Sequence, residues 1–292
     1  MIPKEVLQKV RQIEIRTKRI VDSVLSGEYH SAFKGRGMEF SEVRAYMDGD
    51  DVRTIDWNVT ARMGTPYIKK HVEERELTVM LMVDASSSGD FGSVEKFKGE
   101  MAVELCSLLA FSAIRNNDRV GLIIFTSEIE TFIPPRKGRN HVLRVIRELL
   151  YSKPRNRGTD IGGALKFLNQ IQTKTSVVFL VSDFMSDGYD APLRVASKRH
   201  DLVAVSIKDP REDELPRVGL IELEDAETGE TLLIDTRSKA LHEQFKKERQ
   251  EKRAVLDNLL RMINVDEIRV STQTGYVDPI VKFFRKREKM YR

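Results

Sequence analysis

Two apolar segments of strand length constrain the fold of this chain more than any other feature. Residues 77–83 (LTVMLMV) and 177–182 (VVFLVS) are apolar and rich in β-branched side chains, and an aspartate follows each segment. Continuous apolar runs of this length are typical of strands buried on both faces of a parallel sheet. We therefore predict that Asp84 and Asp183 lie where the chain turns at the carboxyl edge of such a sheet.

The rest of the chain alternates between predicted strands and predicted helices. Strands are expected at 77–83, 119–125, 128–133, 176–182, 201–207 and 266–271, and crossover helices at 95–116, 139–151, 160–172 and 190–199. This alternation predicts an α/β fold with a doubly wound, mainly parallel sheet of the Rossmann type. The strands before Asp84 and Asp183 are the first and the fourth. These residues should therefore flank the crevice where the strand order reverses, which is where such sheets bind ligands.

The apolar pattern divides the chain into three regions. Residues 1–27 form an N-terminal amphipathic helix, 28–76 a small β-rich region, and 77–292 the α/β domain. A hairpin at 217–235 is inserted in that domain around a Glu-Thr-Gly-Glu turn, and we expect it to pack with 28–76. With 292 residues, 40% of them hydrophobic, the chain is long enough to bury a full core beside the smaller region.

A set of oxygen-bearing side chains is predicted at one edge of the sheet. Its members are Asp84, Ser86 and Ser88 in DASSS, Thr159 in RGTDIGGAL, and Asp183 in VSDF. Singly, such residues are ordinary helix caps and turn formers. Together at matching strand ends they suit Mg²⁺, which prefers oxygen ligands and takes only one or two carboxylates from a protein. The five histidines are scattered and form no HExxH-like pair, which disfavours zinc.

These five positions resemble the metal-ion-dependent adhesion site of von Willebrand factor A domains. Residues 35–76 in turn resemble the signature of the bacterial and archaeal "domain of unknown function 58" proteins, whose genes often lie beside MoxR-type AAA+ ATPases. The resemblance implies a non-catalytic interaction module in which Mg²⁺, with Mn²⁺ or Ca²⁺ as substitutes, binds an Asp or Glu of a protein partner. It also implies an adaptor role, with a MoxR-type ATPase or its client as the partner.

Charged residues in the signature segment allow two interpretations. Its spacing does not fit a calcium-binding EF-hand loop, because Arg53 and Val59 occupy the places of the required glycine and glutamate. One interpretation is an ion-paired turn anchored by Trp57, and the other is a second interaction surface. The residues concerned are Arg44, Asp50, Asp51, Arg53, Asp56, Trp57 and Arg62.

Basic residues are concentrated between positions 134 and 158, although the net charge is only +4. We hypothesise that this flank steers an acidic partner toward the metal; the alternative is a solvated helix face and loop. The residues assigned to the flank are Arg136, Lys137, Arg139, Lys153, Arg155 and Arg157.

Two other functional classes remain open. A Mg²⁺-dependent phosphoryl or phosphodiester hydrolase could use the same carboxylates, but the chain has no GxxxxGK[ST] phosphate loop. A nucleic-acid-binding protein could use the basic flank, but no aromatic residues are interleaved there to stack bases, so no nucleic acid is expected.

Composition indicates a cytoplasmic protein. No apolar run approaches the length of a membrane span, and the N-terminal segment MIPKEVLQKVRQIEIR is too charged for a signal peptide. The one cysteine, Cys106, lies in an apolar helical pattern and is predicted to be a buried thiol.

Overall fold

The computed structural model describes residues 4–21, 29, 32–33, 38–73, 76–87, 97–212, 218–224 and 231–290. The strands are β1 (Met38–Ala45), β2 (Tyr67–Glu73), β3 (Thr78–Asp84), β4 (Arg119–Phe125), β5 (Ile129–Arg136), β6 (Val177–Ser182), β7 (Asp201–Lys208), β8 (Leu220–Glu224), β9 (Thr231–Asp235) and β10 (Asp266–Ser271). The helices are α1 (Lys4–Ile20), α2 (Trp57–Met63), α3 (Lys98–Arg115), α4 (Arg139–Tyr151), α5 (Ile161–Ile171), α6 (Asp190–Arg199), α7 (Lys239–Met262) and α8 (Val277–Met290).

Six strands form the central sheet in the order β10-β7-β6-β3-β4-β5. Within it, β5 is antiparallel to β4, and the other neighbouring strands are parallel. The chain moves outward from β3 to β4 and β5 and then returns to place β6 on the other side of β3. The predicted α/β class with a doubly wound, mainly parallel sheet is therefore confirmed. The strand order also reverses between β3 and β6, as the sequence predicts.

Two helical layers cover the sheet because its central strands are apolar on both faces. Val79, Leu81 and Val83 of β3 pack into a cluster with α1, α3, α4 and α8. Met80 and Met82 point the other way, into a cluster with α5, α6 and α7. Such two-sided burial explains why the sequence of β3 is a continuous apolar run rather than an alternating one. Among the described residues, none of the helices combines the length and the apolar character that a bilayer crossing requires.

The smaller elements lie outside the central sheet. Helix α1 packs on α3 and α4, and its described residues end earlier than the predicted helix, at Val21. Strands β1 and β2 form one antiparallel pair, with a bulge between Phe40 and Glu42, and β8 and β9 form another. The two hairpins are thus separate two-stranded sheets. Their packing against each other stays a prediction.

His200 makes the stability of the fold depend on pH. The side chain is buried, and neither ring nitrogen has a hydrogen-bond partner within the described residues. Burial, together with the nearby charge of Arg199, lowers the pKa of His200 from 6.5 to about 4. Between these two values the unfolded chain binds a proton that the folded chain does not, so stability present above pH 6.5 is lost as the pH falls toward 4.

We expect the change from pH 7 to pH 5 to remove about 2 kcal/mol of unfolding free energy through His200 alone. Urea titrations of the wild type and of His200→Leu at both pH values measure this quantity. The variant should lose less stability over the interval by about that amount. An equal loss in both proteins would show that His200 does not titrate differently on folding.

Candidate metal site at the carboxyl edge of the sheet

Asp84 lies at the switch point and is held by two loops. Strands β3 and β6 pair in parallel, with Val83 opposite Val181, so the carboxyl ends of both strands meet at one edge. The Ser182 hydroxyl donates a hydrogen bond to Asp84 Oδ2 at 2.7 Å, and the Ser86 backbone N–H donates to Oδ1 at 3.0 Å. Each carboxylate oxygen therefore has at least one fixed donor, and the Ser86 side chain also hydrogen-bonds to this carboxylate.

The surroundings of Asp84 favour a cation. Burial raises the pKa of Asp84, and the negative charge of Asp183 adds to that rise, although hydrogen bonds from Ser182 and Ser86 oppose it. A buried carboxylate whose charge is poorly solvated gains much from a nearby positive ion. Ser86 is itself only 3% exposed, so its side chain also lies inside the protein at this edge.

The loop that carries Thr159 is fixed beside Asp84 by backbone hydrogen bonds. Ser87 N–H donates to the carbonyl oxygen of Arg157 at 3.1 Å, which joins this loop to the DASSS loop. Asp160 N–H donates to the carbonyl oxygen of Thr126, just after β4, at 2.9 Å. Thr159 is thus held between the ends of β3 and β4.

Asp160 does not join the predicted set because it caps a helix. Its Oδ1 accepts a hydrogen bond from Gly163 N–H at 2.8 Å at the start of α5. Glycine at 163 lets the carboxylate lie close to the helix, since a Cβ atom there would lie 2.4 Å from Asp160 Oδ2 and the side chain would have to shift. Within the GTDIGG segment, Asp160 therefore caps the helix, and Thr159 precedes the cap at the edge of the sheet.

Asp183 is positioned by a tight turn after β6. Its Oδ1 accepts a hydrogen bond from Met185 N–H at 3.1 Å. The next residue, Phe184, has a φ of 57° and is buried, and its N–H donates to the Ser182 hydroxyl. A bulky residue in the left-handed region is strained and is held there by surrounding structure. This turn keeps Asp183 at the same edge as Asp84.

A buried lysine contacts Asp183. Lys98 Nζ lies 2.8 Å from Asp183 Oδ2 and 2.5 Å from Glu212 Oε1, and its side chain is only 5% exposed. Burial alone would lower the pKa of Lys98, but attraction to Asp183 and Glu212 outweighs burial and raises it. The ammonium therefore stays charged at neutral pH.

The donor set fits a hard divalent cation. Asp84, Asp183, Ser86 and Thr159 supply carboxylate and hydroxyl oxygens at one edge, whereas Ser88 lies outside the described residues. No group of three His, Cys, Asp or Glu side chains suited to a metal occurs in the part of the chain that the structure describes. A cation at this edge would therefore depend on the hydroxyls, which is a pattern suited to Mg²⁺ with retained waters.

Sequence reasoning missed Ser182, Lys98 and Glu212. Ser182 directly precedes Asp183, so its position at a strand end was a readable signal. Lys98 lies in the first turn of the helix predicted at 95–116 and is the first residue of α3 in the structure, so its place near a helix N-terminus was a weaker signal. A cation at a helix N-terminus opposes the helix dipole, so its presence there points to acidic partners elsewhere in the chain.

Three residues of the basic flank lie far from this edge. Arg136 ends β5 opposite the start of β4, at the amino edge of the parallel strands, because β5 runs antiparallel to β4. Lys137 forms an ion pair with Glu76, and Arg139 pairs with Glu14 of α1 at 2.5 Å. The structure therefore does not bring these three residues together with the described members of the predicted metal set, which are Asp84, Ser86, Thr159 and Asp183.

The other three basic residues lie near the site. Lys153, Arg155 and Arg157 follow α4, which returns the chain to the carboxyl edge, and the carbonyl oxygen of Arg157 accepts the hydrogen bond from Ser87. The Glu130 carboxylate fixes this loop by accepting a hydrogen bond from Arg155 N–H at 3.0 Å. These three residues, unlike Arg136, Lys137 and Arg139, therefore lie at the same edge of the sheet as Asp84.

The signature region forms a capped turn and a short helix. Arg44 binds both oxygens of Asp50, at 2.9 and 2.8 Å, and the Arg44 guanidinium lowers the pKa of Asp50. Asp51 caps the short 3₁₀ helix Val52–Thr54, and Asp56 caps α2. The ion-paired turn is thus present at Arg44, while Arg53 and Arg62 are exposed.

The role predicted for Trp57 as an anchor of this turn is wrong. Trp57 is 67% exposed and begins α2 on the surface. Hydrogen bonds and caps hold the turn instead, because the hairpin and α2 are too small to enclose a core of their own.

Three solved structures that are similar to the chain have TM-scores below 0.5. An aerotolerance-related membrane protein from Bacteroides fragilis is 20% identical, with 73% of this chain and 99% of that one covered and a TM-score of 0.48. The SpRpn10 VWA domain is 12% identical, with 70% and 94% covered and a TM-score of 0.41. Proximal thread matrix protein 1 from the mussel byssus, with a zinc-occupied MIDAS motif, is 18% identical, with 45% and 38% covered and a TM-score of 0.38.

Sequence comparisons give a closer relationship. An uncharacterized protein of Mycobacterium tuberculosis is 32% identical over 286 residues, which cover 96% of this chain and 89% of the relative. The family described as "Protein of unknown function DUF58" matches residues 42–255. That match includes the signature turn and the described members of the metal set, so the chain belongs to the DUF58 family.

Proposed function

We propose that this protein is a non-catalytic interaction module whose metal site binds an acidic residue of a protein partner. Mg²⁺ would be held by Asp84, Ser86 and Thr159, together with Asp183 and Ser88. The observation that carries the proposal is the convergence of three loops at the switch point, shown by the bonds Ser182–Asp84, Ser87–Arg157 and Asp160–Thr126. Such convergence of oxygen donors at a crevice is the arrangement that a hard cation needs.

The charge balance of the edge favours ligand capture over catalysis. The Lys98 ammonium offsets part of the charge of Asp183, and it is shared with Glu212. Asp84 forms no ion pair within the described residues, so its carboxylate would contribute most to offsetting a divalent ion. Mg²⁺ when bound would supply an electrophilic position that attracts a further carboxylate. The hydroxyls of Ser86 and Thr159 suit coordination better than proton transfer, since aliphatic hydroxyls are very weak acids and bases at neutral pH. A hydrolase would need a general base and a phosphate cradle, and the sequence offers no such loop.

The loop after α4 supports an acidic partner. Lys153, Arg155 and Arg157 place positive charge at the same edge as Asp84, and Glu130 holds their loop in position. Positive potential beside a binding site increases the rate of encounter with an acidic segment. We propose a MoxR-type AAA+ ATPase or its client as that partner, on the strength of the family resemblance.

Thr159→Ala should reduce metal-dependent partner capture without unfolding the protein. The hydroxyl would supply a metal ligand at the edge, whereas the backbone of its loop is fixed independently by Asp160 and Arg157. We expect capture to fall at least about tenfold. Mutating a residue that only hydrogen-bonds to a metal ligand typically lowers metal affinity or activity 10–100-fold, and loss of a ligand itself should cost at least as much. The measurement is a pull-down from native extract with and without Mg²⁺, followed by titration of the purified partner.

Thr173→Ala is the matched control, since Thr173 is an exposed residue distant in sequence from the loop. It should capture the partner as well as the wild type does. Recovery of a AAA+ ATPase only with Mg²⁺ would support the adaptor role. Equal capture by Thr159→Ala and the wild type would contradict a metal-bridged interface, and hydrolysis of phosphate esters by the purified protein would favour the hydrolase.

A further inference from the structure

Lys98 occupies a position that ordinary helix energetics disfavour. It is the first residue of α3, whose N-cap residue Phe97 provides no side-chain hydrogen bond. The positive end of the helix dipole repels an ammonium group, and burial of that group adds a desolvation penalty. Lys98 is nevertheless 4% exposed, so its carboxylate partners must outweigh both effects.

Lys98 contacts two carboxylates, one inside the predicted metal set and one outside it. Asp183 is a member of the metal set, and its Oδ2 receives the Lys98 ammonium at 2.8 Å. Glu212 lies outside the metal set, and its second oxygen, Oε2, accepts a hydrogen bond from Asp209 N–H at 3.0 Å. Asp209 is itself fully buried and bonded through Oδ2 to the Thr272 hydroxyl, so Glu212 is firmly positioned after β7.

We propose that Lys98 is an internal counter-ion that competes with a divalent cation for Asp183, and that Glu212 limits this competition by holding the ammonium. The inference rests on the proposed function, because it concerns the affinity of the same site. Lys98 thereby sets how tightly the protein holds its metal. Neither residue would be a metal ligand; each would act through Asp183.

The physical basis is the sharing of one carboxylate by two positive groups. Asp183 Oδ1 already accepts a hydrogen bond from Met185 N–H, and Oδ2 is occupied by Lys98. A cation that draws on Asp183 must weaken the Lys98 contact or endure repulsion from it, and neither effect is well screened where side chains are 5% and 7% exposed. Glu212 offers the ammonium a second site and so reduces what the metal must displace.

The two changes therefore have opposite expected effects. Lys98→Met removes the competing charge while keeping an unbranched side chain of similar length, and Mg²⁺ affinity should rise at least about tenfold. Glu212→Gln removes one of the two carboxylates that contact the Lys98 ammonium, so the ammonium should interact more strongly with Asp183. Mg²⁺ affinity should therefore fall at least about threefold. Lys166→Met, which alters an exposed lysine of α5, should leave the affinity unchanged.

The test is calorimetric titration of Mg²⁺ into the full chain at constant pH and about 0.15 M salt, where long-range surface charge is screened. The double variant Lys98→Met/Glu212→Gln separates competition from a general field effect. If Glu212 acts through Lys98, Glu212→Gln should change affinity by less than about twofold in the Lys98→Met background. An equal weakening in both backgrounds would overturn the inference in favour of simple charge summation.

The same titrations have further results that would support or overturn the proposed role of Lys98. Unchanged or weaker binding by folded Lys98→Met overturns the competition. If that variant does not fold, Glu212→Gln decides alone, and unchanged affinity there overturns it. Binding by the wild type with no response to Lys98→Met removes this inference but leaves the proposed function intact. Absence of Mg²⁺ binding in the wild type and in every variant removes both, whereas binding gained only by Lys98→Met supports the inference.

Discussion

Asp84→Ala is expected to abolish Mg²⁺ binding, with an affinity loss of more than about 100-fold. This exceeds the 10–100-fold typical of residues that only support metal ligands, because Asp84 would be the charged group least compensated by other cations. Its oxygens accept hydrogen bonds from Ser182 and Ser86, it forms no ion pair with any residue that the structure describes, and burial raises the pKa of Asp84. The measurement is calorimetric titration of the purified variant with Mg²⁺, repeated with Mn²⁺ and Ca²⁺.

The fold should survive this substitution. Asp84 ends β3, and the core of that strand is built from its apolar neighbours rather than from the carboxylate. Loss of one acceptor for Ser182 should change the unfolding free energy by about 1–2 kcal/mol. Asp187→Ala, which removes an exposed aspartate four residues after Asp183, is the matched control and should bind Mg²⁺ normally. Unchanged affinity in folded Asp84→Ala would refute the metal assignment.

The central strands of the sheet were predictable because they are buried on both faces, and the edge strand β10 because its buried residues alternate with more exposed ones. A strand is predicted at 176–182, and β6 spans Val177–Ser182, one residue shorter; 266–271 form β10 with the predicted bounds. Helices α4 and α6 likewise begin and end where the periodicity predicts. In these segments the apolar pattern, the turn residues and the tertiary burial all favour the same structure, so no competing effect shifts the boundaries.

The direction of β5 explains why the structure separates the residues of the predicted basic flank into two groups. Arg136 and Arg157 are close in sequence, and the charge count from 134 to 158 treats them alike. Because β5 is antiparallel to β4, Arg136 lies at the amino edge, and the length of α4 then separates it from Arg157. Composition reports local charge density, but topology decides which edge receives it.

The contacts of Lys98 could not be read from local patterns. It pairs with Asp183 and Glu212, which are 85 and 114 residues away. Such pairs depend on the strand order, which places the ends of β6 and β7 beside the start of α3. The anomaly of a lysine at a helix N-terminus could have flagged the residue, but it does not identify the partners.

Arg287→Met is expected to cause the largest loss of stability among the substitutions considered. Arg287 is 3% exposed and binds both oxygens of Asp201, at 2.8 and 3.0 Å, and Asp266 at 2.8 Å. Its guanidinium also lies 4.8 Å from the ring centre of Phe283. Methionine would fill much of the space but leave Asp201, also 3% exposed, without its counter-ion. Breaking a buried pair in this way costs about 3–5 kcal/mol.

The neighbouring Lys286 provides a control that separates burial from charge. Lys286 also pairs with Asp266, at 3.3 Å, but its side chain is 65% exposed, so Lys286→Met should change the unfolding free energy by at most about 0.5 kcal/mol. Urea unfolding of both variants at neutral pH measures the difference. Equally small losses of unfolding free energy in both variants would mean that water or other polar groups solvate the Asp201 carboxylate when Arg287 is removed. A large loss confined to Arg287→Met would show that α8 is joined to β7 and β10 through a buried charge that the core requires.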